Sequence, residues 1–376
     1  MSRDWGLGLG EEENEGDEEE EGAEEAGVQG RIAITHYSLL ITHYSLPITH
    51  YQLPNDKHQI IKDSQVNIVA SLNLPKWRGY LELMRPANIV TAWADILVGF
   101  AACGSGVIFT QLINGQATAD GLIPLAWLLL ATTGLYGGGI VFNDVFDAEL
   151  DQQERPSRAI PSGRVSRENA ALLGMILFAI AIFAAAQVSL LSVTIAIFIT
   201  FAALLYDSVG KHHPFFGPLN MGVCRGSNLL LGVSALPAMV GERWYLALIP
   251  VLYIAAITAI SQGEVHGGKR ITGIVALILI AIVLTAVLSL GFFAEYTVIA
   301  ALPFAALLAV RVLPNFIQAA REPVPEKIRN AVKVGVLSLI ILDATIAAGF
   351  TGLTYGLLVL ILLPISMSFA KMFAVT

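Results

Sequence analysis

Charge is scarce in this chain. Of its 376 residues only 14% are Asp, Glu, Lys or Arg and 55% are hydrophobic, with a mean hydropathy of +0.67, which excludes an ordinary soluble domain of this length. Cysteine is almost missing as well. Cys103 and Cys224 both lie in apolar stretches, where a small apolar side chain explains them, so they report nothing about a redox compartment. No basic segment followed by an apolar run occurs near the N-terminus. A secretory signal peptide is therefore not expected, and the first apolar helix has to act as the targeting signal. Nucleic acid is not expected among the partners.

What the chain does have is a series of apolar stretches near the ~20 residues that cross a bilayer as helix. They run over about 87–109, 122–142, 168–187, 189–206, 218–240, 244–262, 271–291, 294–313, 332–350 and 352–370. The expected fold is all-α, a polytopic membrane bundle of nine or ten transmembrane helices over residues 74–376. The net charge of −8 misleads, because the acid is concentrated in "EEENEGDEEEEGAEE" at 11–25, which has no apolar periodicity and cannot bury a core. A seven-residue repeat, "ITHYSLLITHYSLPITHYQLP", follows at 34–54. Residues 1–73 read as a disordered tail, the repeat as sequence lying ahead of a later start such as Met84, and its His36, His43 and His50 as functionless in preference to metal-binding. Basic residues alternate between connections: Arg155, Arg158, Arg164, Lys211, Lys269, Arg270, Arg321 and Arg329 fall on one side with Lys76, Arg78 and Arg85, and Arg243 is the exception. The positive-inside rule then places the N-terminus and these connections in the cytoplasm of a bacterial plasma membrane or on the equivalent side of an organellar one.

The connection after the second apolar stretch carries "FNDVFDAELDQQERPSR" at 142–158. At about 100° per residue Asp144, Asp147 and Asp151 fall within a sector of roughly 60°, while Glu149 points the other way. Acidic residues at a helix end are often only solvated. Three one-sided carboxylates, with Asn143 before them and arginines after, instead suit Mg²⁺, which prefers oxygen ligands at about 2.0–2.1 Å and shares its shell with phosphate oxygens. Arg225 lies well inside an apolar stretch, where an arginine costs ~2.5 kcal/mol or more unless it faces a polar cavity, so it is expected to point inward at a phosphate or a carboxylate. Asn88 and Asp95, seven apart, share a helix face and either line that cavity or hydrogen-bond between helices. Asp343 is an intramembrane acid without an assigned partner.

"NDVFDAELD" at 143–151 resembles the NDxxDxxxD motif of the UbiA prenyltransferase superfamily, and "RPSRAIPSG" at 155–163 is similar to the element that follows it there. "LELMRPANIVTAWADILVGF" at 81–100 resembles the family's opening helix, most closely that of UbiA-like proteins of the EboC type. The resemblance covers about residues 78–371. It implies a membrane prenyltransferase in which Asp144, Asp147 and Asp151 hold Mg²⁺ against the diphosphate of an isoprenoid donor, and diphosphate departure leaves an allylic cation for an unidentified lipid-soluble or small-molecule acceptor. Asn88, Asn143, Arg155, Arg158 and Arg225 are then candidate substrate contacts. "YDSVGKHH" at 206–213 looks like the family's Tyr…Lys element, which adds Tyr206 and Lys211. The family's second aspartate-rich motif corresponds to "ISQGEVHGGKR" at 260–270, which has no aspartate. Glu264, as a catalytic candidate, and His266 with Lys269, as substrate contacts, are what stand there, so a second metal is in doubt. Three readings follow: a prenyltransferase, a non-catalytic carrier of a prenyl phosphate or isoprenoid metabolite, and a membrane scaffold. The intact first motif argues against the scaffold.

The charge alternation sets the first test. A reporter fused after Arg164 or Arg329 should read as cytoplasmic, and one after Gln116 or Arg243 as external. A cytoplasmic signal at Gln116 would invert the assignment.

Overall fold

The computed structural model describes residues 76–210, 213, 216–261 and 267–373. The tail and repeat of 1–73 lie outside these residues. Sixteen α-helices are described: α1 (Lys76–Met84), α2 (Pro86–Ala102), α3 (Ile108–Ile113), α4 (Ile123–Phe146), α5 (Ala148–Glu154), α6 (Arg167–Ala186), α7 (Leu190–Ser208), α8 (Phe216–Val233), α9 (Ala238–Arg243), α10 (Leu248–Ser261), α11 (Arg270–Ser289), α12 (Val298–Arg321), α13 (Pro325–Leu337), α14 (Leu339–Thr351), α15 (Leu353–Leu360) and α16 (Leu362–Phe373). No strand occurs among the described residues. The protein is a multi-pass membrane bundle. Eight helical stretches are long and apolar enough to span a bilayer, and a ninth is counted if the bent stretch from Pro86 to Leu112 is one span. Helix α8 makes the tenth member of the bundle, with 18 residues and Asn220, Arg225 and Asn228 along its length.

One element departs from the apolar stretches. The first stretch is not one helix to residue 109: it breaks after Ala102, with a 98° bend before Ser105. Gly104 supplies the left-handed backbone at that corner, with φ 87°. Arg243, the exception to the charge alternation, explains what holds the broken end. Its Nε donates to the Ala102 carbonyl at 3.2 Å, its Nη2 lies 3.3 Å from Glu295, and its guanidinium sits 5.4 Å from the centre of the Phe350 ring. A cation at a helix C-terminus complements the exposed carbonyls there.

Burial sorts the bundle into centre and rim. In the apolar segment of Pro325–Thr351 89% of the residues are buried, against 28% in those of Leu190–Ser208 and Arg270–Phe292. Helix α2 packs against α4, α8, α14 and α16 and shares the centre with α14. The α2–α8 contact is backbone to backbone: a Cβ on Gly99 would meet the Leu229 carbonyl oxygen at 2.2 Å, and one on Gly232 would meet the Ile96 oxygen at 2.5 Å. Small residues permit such approach where lipid gives helices no hydrophobic reason to associate. Through this close packing Asp95 on α2 and Arg225 on α8 come within bonding distance.

Gly99→Ala should therefore cost on the order of 1–3 kcal/mol by overpacking. Gly241, whose added Cβ would meet nothing within 4 Å, is the control. Thermal unfolding in detergent should separate the two alanine variants, and equal midpoints would show that the close approach is not stabilising.

Candidate active site

The motif folds as a helix with a break in it. Helix α4 ends at Phe146 and α5 begins at Ala148, so the three aspartates do not sit on one continuous helix as the spacing predicts. The i→i−4 pattern nevertheless carries through: Asp147 N–H donates to the Asn143 carbonyl at 3.0 Å and Asp151 N–H to the Asp147 carbonyl at 2.8 Å. The shared side survives for that reason. Asp144, Asp147 and Asp151 are 7%, 6% and 1% exposed. Glu149 faces out, in an exposed pair with Arg167.

Arginines collect on the buried carboxylates. Arg158 Nη1 donates to Asp151 Oδ2 at 2.6 Å and lies 3.4 Å from Asp144 Oδ1. Arg85 Nη2 donates to the same Asp144 oxygen at 2.5 Å. Arg155 Nη1 is 3.6 Å from Asp151 Oδ1. Burial raises the Asp151 carboxyl above its ordinary range, and Arg158 opposes that rise. Burial, with the Arg158 charge beside it, brings Arg155 down to about 10. Burial also lowers Arg85, against the pull of Asp144. Asn143 donates to Asp207 Oδ1 at 2.9 Å. Behind the site Arg164 donates to Glu82 at 2.5 Å and to the Ser157 carbonyl at 2.9 Å, which fixes the 155–163 turn against α1.

The orphaned atoms decide whether a metal fits. Asn143 Oδ1 and Asp151 Oδ1 are buried and accept no hydrogen bond, and so is Asn88 Oδ1. Hard oxygen donors of this kind suit Mg²⁺ by chemistry. Among the described residues no three carboxylate, His or Cys groups converge closely enough to hold a metal, because the aspartates here surround guanidinium groups.

The remaining candidates divide. Arg225 does point inward, and its partner is a carboxylate: Nε donates to Asp95 at 3.0 Å, Nη2 to the Thr91 carbonyl at 2.7 Å, and Nη1 to Tyr136 at 3.1 Å. Asn228 donates to Asp95 Oδ2 at 2.9 Å, and Thr132 donates to Asn228. Asp95 is thus bound between helices and does not line a cavity beside Asn88. Asp343 joins this centre, with Oδ2 4.0 Å from Arg225 Nη2. Tyr206 is half-buried next to Asp207, and Lys269 is exposed at the start of α11. Lys211, Glu264 and His266 lie outside the described residues.

Arg85 is the site residue that charge counting misses, since the sequence shows it only as one more basic residue on its side. It is the sole described non-glycine residue with positive φ, 46°. A left-handed residue before proline is disfavoured and costs on the order of 1–3 kcal/mol. The Arg85-Pro86 step was the available signal, because it turns α1 sharply into α2 and lays the guanidinium onto Asp144.

The sequence profile of the UbiA prenyltransferase family matches residues 96–328, across the aspartate motif and most of the bundle. The chain belongs to this family. A digeranylgeranylglyceryl phosphate synthase of Methanosarcina mazei is 34% identical over 199 residues, 50% of this chain and 63% of that protein. The enzyme of the same name from Halobacterium salinarum is 31% identical over 52% of this chain and 67% of its own. The chain thus matches somewhat under two-thirds of the length of the first of these relatives. Among solved structures, a digeranylgeranylglyceryl phosphate synthase superposes with a TM-score of 0.58 at 19% identity, over 74% of this chain and 99% of the other. A UbiA homologue from Aeropyrum pernix K1 gives 0.53 at 19% identity, over 68% and 96%. Both show a shared fold.

Breaking the central pair should destabilise the bundle. Asp95→Asn leaves Arg225 without its charge partner, and loss of one member of a buried pair costs ~3–5 kcal/mol. Glu149→Gln, at an exposed pair, should stay within about 0.5 kcal/mol. Unfolding midpoints in detergent check the contrast.

Proposed function

We propose that this UbiA-family protein is an integral membrane prenyltransferase that moves an isoprenoid chain from a prenyl diphosphate to an acceptor, with Mg²⁺. The observation that carries this reading is the charge arrangement: three carboxylates, Asp144, Asp147 and Asp151, interleaved with three guanidiniums, Arg85, Arg155 and Arg158, at one end of an apolar bundle. Formally the three charges of each sign cancel. A Mg²⁺–diphosphate ligand divides naturally between them, cation to carboxylates and phosphate oxygens to arginines.

Asp144, Asp147 and Asp151, with the unpartnered Asn143 oxygen, would hold the ion once the guanidiniums now between them turned to the phosphates, and the ion would supply positive charge where the leaving diphosphate gathers negative charge. The chain's own residues do the rest. Arg158 bridges Asp144 and Asp151 and is placed to exchange a carboxylate for a phosphate oxygen, and Arg85 reaches the same carboxylate from the opposite element. Arg155 is the least firmly held of the three, at 3.6 Å from its carboxylate. The bundle's apolar side chains exclude water from the prenyl tail and from the cation formed when diphosphate leaves. The names of the relatives suggest a glyceryl phosphate lipid as the first acceptor to try.

Asp147→Asn keeps the shape of the side chain and removes its charge. Mg²⁺-dependent binding of a prenyl diphosphate, measured by calorimetry in detergent, should weaken by at least about tenfold, ~1.4 kcal/mol. Glu149→Gln should bind as wild type does. Equal affinities for the two variants would end the metal reading. Labelled geranylgeranyl diphosphate with geranylgeranylglyceryl phosphate, or with a membrane extract, should release diphosphate. Donor binding without release would make the protein a carrier.

A further inference from the structure

Arg311 stands apart from the other arginines set into the bundle. Arg225 and Arg243 each meet a carboxylate. Arg311, on the exposed face of α12, has no ion pair among the described residues. An arginine facing lipid without a counter-charge costs ~2.5 kcal/mol or more, so its position asks for an anion. Its level along the helix narrows the choice. The apolar stretch of this span ends at residue 313, and Arg311, Asn315 and Gln318 follow one another at i, i+4 and i+7, all at least partly exposed. The polar stripe leads from Arg311 toward the Arg321 end of α12, about 15 Å further along the helix.

Beside Arg311 lies a groove of about 400 Å³, lined by Leu307, Ile341, Leu357, Ile361 and Pro364. It forms where the last span breaks between α15 and α16 at Ile361, with Pro364 in the first turn of α16. Except for Arg311 its lining residues are all apolar. Leu307 lies a turn further from the Arg321 end than Arg311, and Leu357 likewise lies toward the start of its span, so the groove runs from the cationic head into the bilayer interior. A second copy docked by the same face would bury two unpaired Arg311 cations in one low-dielectric interface, where like charges repel.

We propose that this groove is a binding site for an anionic glycerophospholipid of the surrounding leaflet, its phosphate paired with Arg311 and one acyl chain lying along Leu307, Leu357 and Ile361. Basic pockets between transmembrane helices bind anionic lipid headgroups, and the stripe of Asn315 and Gln318 gives such a headgroup a polar path to Arg311. The site shares no residue with the aspartate cluster.

Native mass spectrometry of the full-length protein, released from nanodiscs containing equal phosphatidylglycerol and phosphatidylcholine, tests this. Wild type should retain phosphatidylglycerol in preference. Arg311→Gln should lower that retention by about fivefold, the ratio corresponding to ~1 kcal/mol per basic residue, and Arg311→Lys should restore most of it. Leu307→Trp, which fills the groove while leaving the charge, should lower it as well. Equal retention of the two lipids by wild type, or unchanged retention by Arg311→Gln, overturns the proposal. Preferential retention of added farnesyl phosphate would make the site an isoprenoid site, and dimers that disappear in Arg311→Gln would make it a protein interface. Either result overturns it too.

Discussion

The ion pair between Arg225 and Asp95 is the constraint on which the bundle is organised. Both side chains are buried, and neither charge is tolerable in an apolar interior without the other. Their pairing fixes α8 against α2. Thr91, Tyr136 and Asn228 take the remaining donors and acceptors, which draws in α4, and Asp343 brings α14 to the same point. Replacing such a centre with apolar residues of similar volume can be neutral for stability. Its value lies in register, since the network is satisfied in one arrangement of the four helices and in few others.

That register reaches the candidate active site through α2 and α4. Helix α2 begins at Arg85 and α4 ends just beyond Asp144, so the elements locked together by Arg225 in mid-bundle also present the Arg85–Asp144 pair at one end. The strained backbone at Arg85 is held by this closure. An arginine in the extended conformation that usually precedes proline would lead the chain away from Asp144.

Much of this was legible in the sequence. The all-α membrane bundle, the shared side of the aspartates, the outward Glu149 and the inward Arg225 all follow from periodicity and from the cost of charge in lipid. The partners did not follow. Nothing in a helical pattern says which of two buried acids an arginine 130 residues away will choose, because that depends on how closely Gly99 and Gly232 let two backbones approach. Asp343 lacked an assigned partner for the same reason, and the 98° bend after Ala102 was signalled only by Gly104-Ser105-Gly106, set between apolar residues on both sides. Arg85 escaped notice because charge counting treats every basic residue on one side of a membrane alike.

The arginines on the aspartates also bear on how such a site exists before its ligands arrive. Three carboxylates packed at the end of a bundle would repel one another and desolvate badly, and Asp151 is buried almost completely. Guanidiniums at 2.5–3.6 Å supply the missing charge. Arg158 reaches two carboxylates through Nη1 alone, and Arg155 Nη1 lies at ion-pair distance from Asp151 without a hydrogen bond. On the proposed function Asp144 and Asp151 would hold a cation, and Arg85, Arg155 and Arg158 would then be free to pair with phosphate oxygens. The oxygens of Asn143 and Asp151 that accept no hydrogen bond lie on the residues that such an exchange would recruit. On the proposed function the resting ion pairs and ligand binding would use the same side chains, and a substitution that strengthened one at the expense of the other would be expected to cost activity.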